Sequence, residues 1–108
     1  MPMFLGRFSY SRESIKALVD NPQNREQAVG AAAQSVGGKL HGLWYAFGEF
    51  DGYFLLEAPD SATAVAFSAS VGGTGALSKI ETIPLVSMEE GMEAFRKAQS
   101  VSYTPPGS

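Results

Sequence analysis

The stretch GEFDGYFLLEAPD, Gly48 to Asp60, decides the fold of this chain. The pair Asp51-Gly52 supplies residue types that tolerate positive φ, which predicts a hairpin turn. The apolar run from Tyr53 to Ala58 predicts a strand leaving that turn. Pro59 ends the strand, and Asp60 is a favourable N-cap for a helix after it. The segment therefore predicts the second half of a β-hairpin followed by a helix.

Similar signals lie on both sides of this segment. Ser11 is a candidate N-cap, and the sequence SMEE from Ser87 to Glu90 matches a capping box. The predicted elements are strands near 3–10, 39–47, 53–58 and 79–85, and helices near 11–19, 24–36, 61–71 and 88–99. This order predicts a ferredoxin-like βαββαβ fold of the α+β class, with a four-stranded antiparallel sheet and an extra C-terminal helix. Right-handed crossovers place both long helices on one face of the sheet.

The length of 108 residues corresponds to one domain, which we assign to residues 1–99. Residues 100–108, with two consecutive prolines, are predicted to form a flexible C-terminal tail. The net charge is −3, from 8 basic and 11 acidic residues without a basic cluster, so nucleic acid is not an expected partner. Neither a signal peptide nor a membrane span is expected, and the absence of cysteine fits a cytoplasmic protein.

The second face of the predicted sheet needs a cover. Two predicted strands contain continuously apolar runs, LWYAF at 43–47 and YFLL at 53–56. A strand with one solvent-exposed face instead alternates apolar and polar residues. Alternation along the second strand puts His41 on the same side as Tyr45, and Leu40 on the side of Trp44. We predict a homodimer that packs sheet to sheet through this face. The alternative is that the C-terminal helix and the tail cover it.

The sequence resembles the GYD domain family. The resemblance lies in GEFDGYFLLEAPD, in the lead-in GGKLHGLWYAFGEFD and in the N-terminal MPMFLGRFSYS, and it covers roughly residues 1–96. The chain departs from the family pattern at Phe50, where tyrosine is common, and at Gly6, where a bulkier apolar residue is common. The resemblance implies a ferredoxin-like domain that forms a dimeric α/β barrel, and it leaves the biochemical function open.

Three residues are candidate acids or bases. Glu57 follows an apolar run, where a carboxylate can have a raised pKa and carry a proton. His41 is the one histidine of the chain, and with Tyr45 it could form a pair of hydrogen-bonding groups in a pocket. The structural alternatives are a surface ion pair for Glu57 and a partly exposed His41 near a strand end. Glu49 and Asp51 are explained by turn chemistry.

Arg7 interrupts an apolar strand and needs a partner. It either binds an anion at the mouth of the barrel or forms an ion pair with Glu57. The candidate ligand-binding residues are therefore Arg7, His41, Tyr45 and Glu57. One histidine without cysteine gives no metal-binding spacing, and no cofactor is predicted.

Two function classes follow from these residues together with the resemblance to the GYD domain family. The first is a small-molecule binding or regulatory module that acts as a homodimer, with an apolar pocket between sheet and helices. The second is a cofactor-independent enzyme, such as a monooxygenase or isomerase, that uses His41, Tyr45 or Glu57 as acid or base. A purely structural dimer is a third possibility. Binding is favoured because the sequence contains no pattern of nucleophile and base.

Overall fold

The computed structural model describes residues 1–107. The elements are β1 (Met3–Tyr10), α1 (Arg12–Asp20), α2 (Glu26–Ser35), β2 (Lys39–Tyr45), β3 (Gly52–Glu57), α3 (Ser61–Gly72), β4 (Leu77–Leu85) and α4 (Met88–Ala98). The strands form one antiparallel sheet in the order β2-β3-β1-β4, which confirms the ferredoxin-like α+β fold. No helix in this part of the chain is both long and apolar enough to cross a membrane.

Three helices begin at the residues that the sequence predicts. The hydroxyl of Ser11 accepts a hydrogen bond from the backbone N–H at the third position of α1, and Asp60 does the same for α3. Ser87 and Glu90 form the complete capping box at the start of α4. Each cap satisfies backbone donors that have no partner within the helix, so these boundaries are set locally.

The hydrophobic core lies between one face of the sheet, here called the inner face, and the helices α2 and α3. Every second residue of β1 and β3 is buried on this face, because successive side chains of a strand point to opposite sides. The residues of this core are Phe4, Phe8, Phe54 and Leu56 of the sheet, Ala33 of α2, Ala58 after β3, and Ala64 and Phe67 of α3.

Two aromatic rings of the core lie directly over glycines of the neighbouring strand. A Cβ on Gly6 would stand 1.9 Å from Cζ of Phe54, and one on Gly52 would stand 2.3 Å from Cζ of Phe8. Neither glycine can carry a side chain without displacing a packed ring. At Gly6, where the family commonly has a bulkier apolar residue, the ring of Phe54 therefore occupies the space that a side chain would need.

The opposite side of the sheet, here called the outer face, is only partly covered by the chain itself. Phe50, from the turn between β2 and β3, is fully buried, with the guanidinium carbon of Arg7 at 4.3 Å and the ammonium of Lys79 at 4.6 Å from its ring centroid. The sequence predicted this turn but not the burial of Phe50. The remaining apolar residues of the face are half-buried or exposed: Met3, Leu5, Trp44, Tyr53, Leu55, Ile83 and Leu85.

Helix α4 does not cover the outer face. None of the residues Met88–Ala98 is buried, and its apolar side chains Met92 and Phe95 are 53% and 72% exposed. The Cα radius of gyration is 17.5 Å, against about 13 Å for a compact domain of this length. Residues 100–107 form neither helix nor strand and are exposed, and Ser108, the last residue of the predicted tail, lies outside the described residues.

Candidate functional site

An apolar cavity of about 220 Å³ lies between α1 and the inner face of the sheet. It exists because α1 packs loosely: none of its residues, Arg12–Asp20, is buried, although it carries an apolar side. Leu18 of α1 faces the cavity from above, and α2 closes one side with Val29. The floor and far wall are aromatic and aliphatic and include Phe8, Leu43, Phe54, Phe67 and Ile80.

A second cavity of about 330 Å³ adjoins the first near the edge of β2. Both cavities are lined by Tyr10, Leu18 and Gln23, so they form one groove beneath α1. The second cavity adds Phe47, which is fully exposed, and Asp51. The groove therefore runs from the protein core to solvent, which gives a small molecule a route of entry.

Two tyrosines meet at the junction of the cavities. The hydroxyl oxygens of Tyr10 and Tyr45 are 3.0 Å apart, and the backbone N–H of Tyr10 donates to Asp51 Oδ2 at 2.8 Å. Burial, followed by the hydrogen bond with Tyr45, raises the pKa of the Tyr10 phenol above its ordinary value. The Tyr10 phenol stays protonated near neutral pH, so it can donate and accept hydrogen bonds but supplies no phenolate base.

Arg25 provides the charge at this site. It lines the first cavity just before α2, and its Nη1 donates to Gln23 Oε1 at 3.0 Å. Within residues 1–107, Arg25 has no ion pair with a carboxylate, and no other charged side chain lines the first cavity. Tyr10 and Arg25 were not among the sequence candidates. Tyr10 could have been found from its alternation with Phe8, but Arg25 lies at the start of the predicted helix 24–36, where no local pattern marks it as a site residue.

His41 and Glu57 lie on the outer face, away from this cavity. The pairing register of β2 with β3 shifts between Leu40 and Gly42, so His41 is an extra residue in a β-bulge. The bulge reverses the predicted sides: Leu40 joins the core on the inner face, and His41 Nε2 lies 2.7 Å from Glu57 Oε1. The prediction that His41 and Tyr45 share one side is therefore wrong.

The pKa of Glu57 is lowered, not raised. The hydrogen bond with His41 is the main cause, and it outweighs the opposing effect of burial. A carboxylate held ionised in this way is a poor proton donor near neutral pH. The geometry matches the structural alternative of an ion pair better than the role of a proton carrier.

The ion pair between Arg7 and Glu57 is not formed. Glu57 lies opposite Met3 in the sheet, so four residues, about 13 Å of strand, separate it from Arg7. Glu81 lies directly opposite Arg7 on β4 instead; its Oε1 accepts a hydrogen bond from Arg7 Nε at 2.9 Å and lies 2.8 Å from Arg7 Nη2. The sequence identified the need for a partner, but the register of β4 determined which carboxylate provides it.

Of the four predicted site residues, the structure places Tyr45 alone at the groove. Glu49 lies 3.7 Å from Lys79, and Asp51 accepts the backbone hydrogen bond described above, so both acidic residues of the turn have structural contacts. No cluster of three His, Asp or Glu residues that could hold a metal occurs among the described residues. The groove therefore combines an apolar interior and a hydroxyl pair with Arg25 at the first cavity and Asp51 at the second.

These features define a ferredoxin-like α+β domain with a helix-covered apolar cavity on the inner face of its sheet. The model of the GYD domain family matches residues 4–95 of the chain, and the protein belongs to this family. No curated protein matches the sequence. The family was correctly identified from the segment around Gly48 to Asp60.

Proposed function

We propose that this protein is a small-molecule binding module that acts as a homodimer, and that its ligand lies in the groove beneath α1. The observation that supports this most strongly is the apolar cavity itself, because α1 covers it without filling it. Apolar side chains normally pack to a density that leaves few voids larger than a water molecule. A ligand in the cavity would cover more of Leu18 and Leu43, which the chain alone leaves half-buried.

The homodimer is supported by two uncovered apolar surfaces that adjoin each other. The outer face carries Leu5, Leu55 and Ile83, and α4 leaves the sheet directly after Leu85 of the same face. The start of α4 borders this face, as Met3, Leu55 and Glu90 line one shared depression. A second copy related by a two-fold axis would cover the outer face and the apolar side of α4 together.

Binding is favoured over catalysis by the placement of the titratable groups. His41 and Glu57 lie on the outer face, and the Tyr10 phenol has a raised pKa. Within residues 1–107, no histidine lines the groove, whereas general acid–base catalysis works best with a group whose pKa lies near neutral pH. The cofactor-independent enzyme of the sequence analysis therefore has less support than a binding site.

The proposal is tested by blocking the cavity. Ala17→Trp places an indole at the cavity mouth on α1, and Glu13→Trp places the same ring on α1 away from it. A panel of small apolar compounds is screened by thermal shift against both variants. A ligand at a hundred times its Kd stabilises the native state by about 2.7 kcal/mol, which corresponds to roughly 10 °C in melting temperature.

We expect compounds that stabilise the unmodified protein to stabilise Glu13→Trp equally and Ala17→Trp little or not at all. If no compound stabilises the unmodified protein, or if Ala17→Trp responds like the control, the groove is not a binding site. Circular dichroism of both variants checks that α1 still forms.

A further inference from the structure

The two ends of the first cavity differ chemically. The inner end, between the sheet and α3, is formed by Phe54, Phe67, Val71 and Ile80, which offer neither hydrogen-bond donor nor acceptor in their side chains. The outer end is formed by Arg25, Gln23, Ser14 and the phenol of Tyr10. A ligand that fits both ends has an apolar body and one polar head. Its orientation is fixed, because a polar head at the inner end would lose its hydrogen bonds to water without replacement.

The polar end selects the charge of the head. A guanidinium has five N–H donors, and Arg25 uses one of its groups, Nη1, on Gln23. The other donors of Arg25 have no carboxylate partner among residues 1–107. The hydroxyl pair adds one more donor, because only one of its two protons is used between Tyr10 and Tyr45. Planar donors of this kind match the two oxygens of a carboxylate.

The second cavity would not take the same head. Its charged lining residue is Asp51, a carboxylate that repels an anion, and Arg25 does not line it. Arg25 and Tyr45 line a common shallow depression beside Leu43, so the guanidinium and the hydroxyl pair lie on the same side of the groove. Glu26 also lines this depression but not the first cavity. The favourable position for a negative charge is thus the Arg25 end of the first cavity.

We infer that the groove binds a small apolar monocarboxylate, with its carboxylate on Arg25 and its body in the first cavity between the sheet and α3. This inference rests on the proposed function and specifies the chemical class of the ligand. A single cation at the rim favours one negative charge, and the apolar interior excludes a second charged group at the other end of the molecule.

The test compares matched acids and amides by isothermal titration calorimetry. The probes are 2-naphthoate and decanoate, each beside its neutral primary amide, and the proteins are the full chain, Arg25→Gln and Arg12→Gln. Arg12 is an exposed arginine of α1 that lines none of the described cavities, so its replacement changes the net charge equally. The backbone carbonyl of Arg25, not its side chain, accepts the first hydrogen bond of α2, so Arg25→Gln is compatible with the fold.

We expect at least one acid to bind, and Arg25→Gln to weaken it about tenfold, as for a charge-assisted hydrogen bond near the surface. The corresponding amide should bind all three proteins equally, and Arg12→Gln should bind the acid like the unmodified protein. If amides bind as tightly as acids, or if both arginine variants weaken the acid equally, the assignment of a carboxylate ligand is wrong while the binding function stands. If neither acid nor amide binds, both the ligand class and the proposed function are contradicted.

Discussion

The proposed homodimer makes a quantitative prediction for α4. Met92 and Phe95 are 53% and 72% exposed in the single chain, and they lie on the apolar side of a helix without a partner. Fully burying a methionine or phenylalanine side chain is worth about 1.5–3 kcal/mol, so burying the exposed parts of this pair is worth about 2–4 kcal/mol per chain. Both chains of a symmetric dimer bury this pair, so the total burial free energy is about 4–8 kcal/mol.

The double substitution Met92→Gln with Phe95→Gln removes most of this energy and keeps good helix formers at both positions. The lower bound of about 4 kcal/mol already weakens the Kd of the dimer about a thousandfold. Light scattering after size exclusion at micromolar concentration should report two chains for the unmodified protein and one for the variant. The control Val65→Gln replaces an exposed apolar residue of α3 and should remain a dimer.

The reasoning is refuted if the unmodified protein has the mass of one chain, or if the double variant keeps the mass of two. Because α4 buries none of its residues in the single chain, the variant should retain its sheet and its other helices. Circular dichroism checks this. A dimer that dissociates also lowers the melting temperature in a concentration-dependent way, which gives a second readout.

Three further predictions concern stability. Gly6→Ala should lower it by about 1–3 kcal/mol, measured by urea unfolding, because the new Cβ would stand 1.9 Å from the Phe54 ring; an unchanged midpoint would show that the ring moves freely. The lowered pKa of Glu57 stabilises the native state above about pH 4.5, and this contribution is lost as pH falls below that value. The difference in unfolding free energy between the unmodified protein and Glu57→Gln should therefore shrink in acid; a difference that persists at low pH would contradict the hydrogen bond from His41 to the Glu57 carboxylate. Because its pKa is raised, the Tyr10 phenol stabilises the native state below about pH 10, and this contribution is lost as pH rises further. The difference in unfolding free energy between the unmodified protein and Tyr10→Phe should therefore narrow in alkali; a constant difference would contradict the burial of Tyr10.

Local signals explain why so much of the fold could be predicted from the sequence. The hairpin turn, the helix starts at Ser11 and Asp60, and the capping box at Ser87 each depend on residues within a few positions of one another. Pro84, which has no backbone N–H to donate, lies in β4, an edge strand of the sheet, where proline is tolerated. Together these boundaries determine the element order, and the order determines the ferredoxin-like topology.

The candidate site could not be predicted in the same way, because it depends on contacts between distant parts of the chain. One extra residue in β2 moved His41 to the outer face, and no local pattern marks a β-bulge. The partner of Arg7 depends on the register of β4, 74 residues further along the chain. The groove depends on how loosely α1 packs, and an apolar helix pattern does not report packing density.

The proposed binding site is tested most directly by methyl NMR of the protein during titration with 2-naphthoate. The groove and the outer face both carry methyl groups, so one spectrum compares them. We predict progressive shifts for the groove methyls of Leu18, Val29, Leu43 and Val71, and unchanged positions for the outer-face methyls of Leu5, Leu55 and Ile83. Shifts confined to the outer face, or no shifts at all, would contradict a binding site beneath α1.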